Sequence, residues 1–275
     1  MQAVLAMNQL LLALVISLSA LTAKANLLDA VITVGPNRGE TLLATVSKKV
    51  PARAVEEALT FFDKNNGVRR TALIFPIAPV PPTNTLEDYI CNMPPYACSS
   101  ESVVQKLFEN RRFIVIFDLN QSSMRPRFHI VDLMTGDVTS LHAAHGKGST
   151  CANDPSRACN FISDRDSEAS PLGFFATGKS HKVVKERWVI PLVGLQGAGP
   201  GASRNDVPST IVIHGAPYAS PEFRRAHGYM GRSHGCPAIT YSEIAAWKDR
   251  LQGGALFYFF HDSLPREAAP ASFRF

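Results

Sequence analysis

Between Phe113 and Phe260 the chain repeats one theme: short runs of β-branched and aromatic residues, ended by glycine, proline or Ser/Thr/Asp turn residues. That punctuation leaves little room for long helices. FIVIFD (113–118) does not alternate and reads as a strand buried on both faces. RFHIVDL (127–133) carries Phe128, Ile130 and Leu133 among its apolar positions. The turn Thr135-Gly136-Asp137 then leads into VTSLHA, which predicts a hairpin. WVIPLVGL (188–195), TIVIH (210–214) and ALFYFF (255–260) are further strands. Pro191 lacks an N–H and is expected to put its strand at a sheet edge. Helical signals are few. In Val50–Asn65, Ala54, Ala58 and Phe61 share a face, with Val55, Leu59 and Phe62 beside it and Gly67 as the stop. Ser220-Pro221-Glu222 predicts an N-cap and first turn of a short helix ending before Gly228. Thr240 and Glu243 predict a capping box for a helix to Leu251, with Gly253 beyond its end. The expected fold is mainly β with a few short helices.

With 275 residues, 45% apolar and 19% charged, the chain has material for one large domain or two small ones, and extensive disorder is excluded. Leu10–Leu21 is an apolar run too short to span a bilayer comfortably, followed by the small-x-small site Ala23-Lys24-Ala25. Residues 1–25 therefore read as a secretory signal peptide cleaved after Ala25, an uncleaved anchor being the alternative. Cleavage leaves no stable membrane insertion and an exported protein, in a bacterial periplasm or envelope. Residues 26–110 are expected to be a helical and loop segment, 111–262 a strand-dominated domain and 263–275 a loose tail. Ala78–Ser100 holds five prolines and a cysteine pair, and reads as an irregular excursion. A net charge of +5 suits an anionic partner such as cell-wall material. No long block of like charge or aromatic-interleaved basic stretch points to nucleic acid.

The five cysteines are Cys91, Cys98, Cys151, Cys159 and Cys236. Export favours disulfides, and the simplest pairing is 91–98 with 151–159. That leaves Cys236 alone, as a dimer link, a metal ligand or a nucleophile.

The densest cluster of reactive side chains holds this thiol. Ile213-His214-Gly215 is followed by Ser233-His234-Gly235-Cys236, with eighteen residues between His214 and Ser233. A thiol is a weak nucleophile until an imidazole takes its proton. His214 closes a predicted strand, a rigid platform, and Gly215 lets the backbone turn beside it. Gly235 lets the chain pass tightly before Cys236. The amides of His234, Gly235 and Cys236 could face one oxyanion. Pro237 has no N–H, so such a hole must lie on the N-terminal side of the thiol.

These residues resemble the catalytic region of the bacterial L,D-transpeptidases, the YkuD-type fold. The string GRSHGCPAI, with IVIHGAPY upstream and HIVDL…AAHGKGS at 129–149, is similar to the murein L,D-transpeptidase catalytic-domain branch. The resemblance covers roughly 111–262 and implies a β-sandwich-like fold, Cys236 as nucleophile and His214 as its base. Ser233 and His234 would shape the pocket, and Arg232 would contact a substrate carboxylate. His145, opening HGKGS, would be a cleft-wall contact or a solvated turn residue. The implied partner is the peptidoglycan stem peptide, with no metal or other cofactor. The family's usual residues after the cysteine are replaced here by Pro237-Ala238.

Three other functions compete with this one. A papain-like peptidase places its cysteine before its histidine, the reverse of the order here. A wall- or metal-binding module would use His214, His234 and Cys236 as ligands, although His-x-Cys in one loop is not a usual structural zinc spacing. A thiol–disulfide oxidoreductase is excluded as a leading idea by the lack of Cys-x-x-Cys. Within the main reading, cross-linking and carboxypeptidase trimming share one acyl-enzyme and differ in the acceptor.

Overall fold

The computed structural model describes residues 42–65, 69–73, 102–106, 108–162, 167–183, 187–196 and 211–266. The expected signal segment, the Cys91–Cys98 pair, the stop at Gly67 and the tail beyond Arg266 lie outside them. The helices and strands among the described residues are, in chain order, α1 (Ala52–Asn65), β1 (Arg69–Leu73), β2 (Ser102–Lys106), β3 (Phe113–Asp118), β4 (Phe128–Asp132), β5 (Val138–Leu141), β6 (Thr150–Cys151), β7 (Asp154–Ala158), β8 (Gly173–Thr177), β9 (His181–Val183), β10 (Arg187–Gln196), β11 (Val212–Gly215), α2 (Pro221–His227), β12 (Ala238–Ile239), α3 (Tyr241–Leu251) and β13 (Leu256–Phe260).

The architecture is mainly β, as expected. A nine-stranded mixed sheet runs β12-β11-β10-β8-β13-β3-β4-β5, with β9 also paired to β10. Strands β13 and β3 are parallel, Leu256 facing Ile114, and both are buried at every position. The expected hairpin is present: β4 pairs antiparallel with β5, Phe128 opposite Leu141.

One face of β13 presents Phe257 and Phe259, whose rings lie 4.7 Å apart and meet Phe128, Phe117 and Phe175 at 5.1–5.8 Å. Helix α1 covers the other face. Phe61 stacks on Phe174 at 4.1 Å, and Phe174 stacks on Tyr258 at 4.1 Å. The Tyr258 hydroxyl donates to Glu57, which also holds Arg53 at 2.8 Å. The apolar stripe read along Val50–Asn65 is therefore buried in the same core as the sheet.

The helix caps follow their residues. The Ser220 hydroxyl accepts from the Phe223 amide at 3.1 Å, and Gly228 closes α2 with φ of 73°. Thr240 and Glu243 form the reciprocal capping box of α3. His227 donates from Nδ1 to the Phe223 carbonyl at 2.8 Å, as befits a histidine at a helix C-terminus.

Strand β10 corrects the expectation for Pro191. The strand is interior, with β11 on one side and β9 followed by β8 on the other. The Pro191 carbonyl accepts from Gly178, so its nitrogen faces that same side, in the gap where β9 has ended and β8 has not begun. The return bond that Pro191 cannot give would go to the Gly178 carbonyl, which accepts from the Gly253 amide at 3.0 Å instead, so no acceptor is left unpaired by the interior proline.

The second cysteine pair is bridged: Cys151–Cys159 closes the β6–β7 hairpin, with Cα atoms 5.0 Å apart. Among the described residues, no helix is long and apolar enough to cross a membrane.

Candidate active site

β11 and β12 run parallel, His214 in register with Ala238 and Gly215 with Ile239. The ladder amides of His214 and Ala216 donate to the carbonyls of Pro237 and Ile239. By the same spacing the Val212 amide would next reach the Gly235 carbonyl. That carbonyl instead accepts from the Ser170 hydroxyl at 2.9 Å, and the Val212 amide donates to Cys236 Sγ at 3.5 Å. The cysteine thus occupies the position where the parallel ladder breaks off. An amide dipole points at its sulfur, an arrangement that suits a thiolate.

Cys236 forms no disulfide among the described residues; it is 5% exposed and packs with Val183, Val189 and Val212. His214, 2% exposed, stands on the strand that flanks it. Its Nδ1 lies 3.3 Å from the Gly215 carbonyl. A carbonyl only accepts, so Nδ1 carries the proton and Nε2 is the basic nitrogen. The Tyr218 ring meets His214 edge-on, with centroids 6.4 Å apart.

Gly215 has a different role from the expected sharp turn. It lies within β11, and a Cβ there would come 2.5 Å from Tyr241 Cδ1, so its value is the close approach of α3. Gly235 does take the left-handed region, with φ of 112°, and a Cβ there would lie 2.9 Å from the Ala169 carbonyl oxygen.

Ser233 is buried and staples the loop. Its hydroxyl donates to the Cys236 carbonyl at 2.6 Å and accepts from the Gly235 amide at 3.2 Å. The Gly235 amide is therefore turned into the loop and away from an oxyanion. His234 is 36% exposed on its side chain and turns outward, its Nδ1 2.6 Å from Glu168 Oε1. Arg232 is exposed, its guanidinium 5.4 Å from the centre of the Tyr229 ring.

His145 differs from both of its expected roles. It is fully buried, its Nδ1 accepting from Arg127 Nη2 at 2.7 Å, so it neither lines an open cleft nor meets solvent. Burial, with Arg127 and Arg232 nearby, pushes its pKa down to about 3 and keeps it neutral. Arg127 is itself fully buried, bonded to the carbonyls of Ala143 and Gln121.

The HGKGS segment (145–149) is a second wall against which the cysteine loop is built. The Ser233 amide donates to the His145 carbonyl at 3.0 Å, and the Lys147 amide donates to the Ser233 carbonyl at 2.7 Å. Gly146 admits this approach, because a Cβ there would lie 2.6 Å from Gly235 Cα and 2.3 Å from the Glu168 carbonyl oxygen. The Gly148 amide donates to that Glu168 carbonyl at 2.9 Å, so this glycine-rich loop directs its amides at protein oxygens rather than at a ligand. The disulfide hairpin buttresses it from behind, the Cys159 amide donating to the Ser149 carbonyl at 2.7 Å.

Sequence reasoning missed two residues here. Ser170, fully buried, accepts from the Gly146 amide at 3.0 Å while donating to Gly235, and so bridges both loops. Glu168 pairs with His234 and with Lys147 Nζ at 2.5 Å. The Lys147 hydrogen bond, with His234 beside it, holds the Glu168 carboxyl below its ordinary range. Neither residue stands in a motif, and each acts on residues distant in sequence.

Among the described residues, no group of three His, Cys, Asp or Glu side chains is placed to hold a metal ion. What the arrangement can do is nucleophilic chemistry at one sulfur, with an imidazole on the adjoining strand and a hydrogen-bonded loop beneath.

Comparisons with known proteins identify the family of this chain. A model of the L,D-transpeptidase catalytic domain matches residues 95–260. Among solved structures, an L,D-transpeptidase from Mycobacterium smegmatis is 15% identical, covering 55% of this chain and 59% of that one, with a TM-score of 0.33. L,D-transpeptidase 1 of Mycobacterium tuberculosis is 12% identical over 54% of this chain and 60% of that one, with a TM-score of 0.29. An L,D-transpeptidase from Stackebrandtia nassauensis is 14% identical over 81% of this chain and 90% of that one, with a TM-score of 0.30. The chain thus spans less than two thirds of the length of both mycobacterial structures. No curated protein matches it. With well over half of its length matched by the family model, this chain belongs to the L,D-transpeptidase catalytic-domain family.

Proposed function

We propose that this protein is an exported cysteine acyltransferase that acts on peptidoglycan stem peptides and joins them by 3–3 cross-links. The observation that carries this reading is the broken ladder between β11 and β12, which sets the Cys236 sulfur against the strand bearing His214. His214 Nε2 takes the thiol proton, and the thiolate attacks the carbonyl carbon of the third stem residue. The amides of His234 and Cys236 are the candidates to meet the resulting oxyanion, since Gly235 donates to Ser233 and Pro237 has no N–H. Collapse expels the terminal D-alanine, whose amine leaves with the proton from His214, and a thioester remains on Cys236. An amine from a second stem then attacks the thioester, gives up a proton to His214, and releases the sulfur.

Arg232 is an exposed cation next to the cysteine loop and the candidate partner for a substrate carboxylate. If water replaces the amine, the same acyl-enzyme yields a trimmed tripeptide.

Mass spectrometry of muropeptide tetrapeptides incubated with the protein tests this. Dimers linked through two third-position residues, absent with Cys236→Ala, are the expected product. Tripeptide alone would assign carboxypeptidase trimming. Unchanged tetrapeptide and an unmodified protein would refute the reading.

A further inference from the structure

Among the described residues other than glycine, Phe108 and Glu168 have a positive φ, and Glu168 is the one that contacts the nucleophile loop. Its φ is 54°, in the left-handed region where an L side chain is disfavoured and glycine is favoured. Strain of this kind is a reason to look for a task. This residue meets both loops around Cys236. Its carbonyl accepts from the Gly148 amide, and its carboxylate reaches Lys147 Nζ at 2.5 Å and His234 Nδ1 at 2.6 Å. The left-handed turn lets one residue offer its main chain to the first loop and its side chain to the second. Its neighbours are equally close, since a Cβ on Gly148 would meet the Ser167 carbonyl oxygen at 2.1 Å and one on Gly235 the Ala169 oxygen at 2.9 Å.

We propose that Glu168 is a positioning residue for the nucleophile, a clamp that ties His234 to Lys147 and so holds the 233–236 loop against the 145–149 segment. The inference rests on Cys236 being the nucleophile. Glu168 acts through His234, two residues from the sulfur, and touches no reacting atom. Ser170 fixes the same two loops from the buried side, through Gly146 and Gly235. Glu168 does so from the half-exposed side, through His234 and Lys147. With both bridges in place the loop is held at two edges, which orients the sulfur before substrate binds.

The test uses the full chain with Glu168→Ala, Glu168→Gly and Glu168→Gln. Three readouts are taken: the melting temperature, the rate and half-saturation of Cys236 acylation by a muropeptide tetrapeptide, and amide hydrogen exchange at 233–236. Ala and Gly both lose the carboxylate, and only Gly relieves the backbone. The Gly variant is therefore expected to melt a few degrees above the Ala variant. Both should still acylate about 10- to 100-fold more slowly at saturation, with half-saturation little changed. Exchange at 233–236 should quicken in both. Gln, which keeps a hydrogen bond but not the charge, should fall between them and the wild type.

Acylation that recovers in the Gly variant along with its melting temperature would show a merely structural role and overturn the clamp. Wild-type rates in all three variants would do the same. Were the wild type itself to form no acyl-enzyme, the nucleophile assignment would fall and exchange alone would decide. Unchanged protection at 233–236 then overturns the clamp, and faster exchange upholds it.

Discussion

The aromatic layer around β13 and the loop that carries Cys236 are both buried, yet they are held by different physics. In the layer, Phe257 and Phe259 meet Phe117, Phe128 and Phe175 through ring contacts. Burial of that kind is strong, non-directional and tolerant of a rotamer adjusting. The loop has little apolar surface to bury. Ser233, Ser170 and the main chain of 145–149 hold it with directed hydrogen bonds, and glycines at 146 and 235 allow backbones to touch. The layer supplies stability, while the loop supplies position. Substitutions in the two regions should therefore separate melting temperature from chemistry.

The largest effect on stability is expected from Phe257→Ala, which empties a fully buried site and should cost about 3–5 kcal/mol. Acylation by the fraction still folded should stay near wild type. Calorimetry alongside single-turnover acylation checks both halves, and a large loss of chemistry per folded molecule would break the comparison. Gly146→Ala is the converse. The added methyl meets backbone at 2.3 Å and 2.6 Å, which forces the two loops apart at a cost of about 3 kcal/mol. Here acylation should fail even well below the melting temperature. Ser170→Ala leaves the Gly146 amide and the Gly235 carbonyl without their partner and should cost about 1–3 kcal/mol. Wild-type acylation in that variant would show that the buried bridge does not position the sulfur.

Much of the fold was legible before the structure. The run FIVIFD became β3, buried throughout, because an unbroken apolar run fits a strand covered on both faces. Thr240 with Glu243, and Ser220 with Gly228, marked helix ends because caps are local chemistry. The strings around His214 and Cys236 singled out two segments that the fold does bring side by side, as β11 and the approach to β12. What stayed hidden depends on residues far apart in the chain. Pro191 was misjudged because the Gly253 amide, which satisfies the Gly178 carbonyl in place of the missing N–H, lies sixty-two positions along the chain. His145 was misjudged because its partner, the buried Arg127, lies eighteen positions earlier. Ser170 and Glu168 had no local signal at all. Ser170 lies sixty-five positions from Gly235, and only the fold brings the two together.

A separate effect is in pH dependence, and it spans both regions. Burial lowers His129, in β4, to about 4, and lowers His145, beside the cysteine loop, to about 3. An unfolded histidine titrates near about 6.5. Below that value the unfolded chain binds protons that the folded protein refuses, so stability rises with pH there. The contribution of both residues is complete above about 6.5 and is lost as pH falls toward 4 and 3. Melting curves from pH 7 to pH 4 should show this acid limb, and it should flatten in His129→Asn. An unchanged slope would mean that His129 titrates normally in the folded protein.

The most direct test of the central claim is the intact mass of the protein after brief exposure to a muropeptide tetrapeptide, followed by peptide mapping. The account predicts an adduct equal to the tetrapeptide muropeptide minus D-alanine, carried on Cys236, absent in Cys236→Ala and slow to form in His214→Ala. An adduct that persists in Cys236→Ala, or a wild-type protein that stays unmodified while its substrate is consumed, would contradict it.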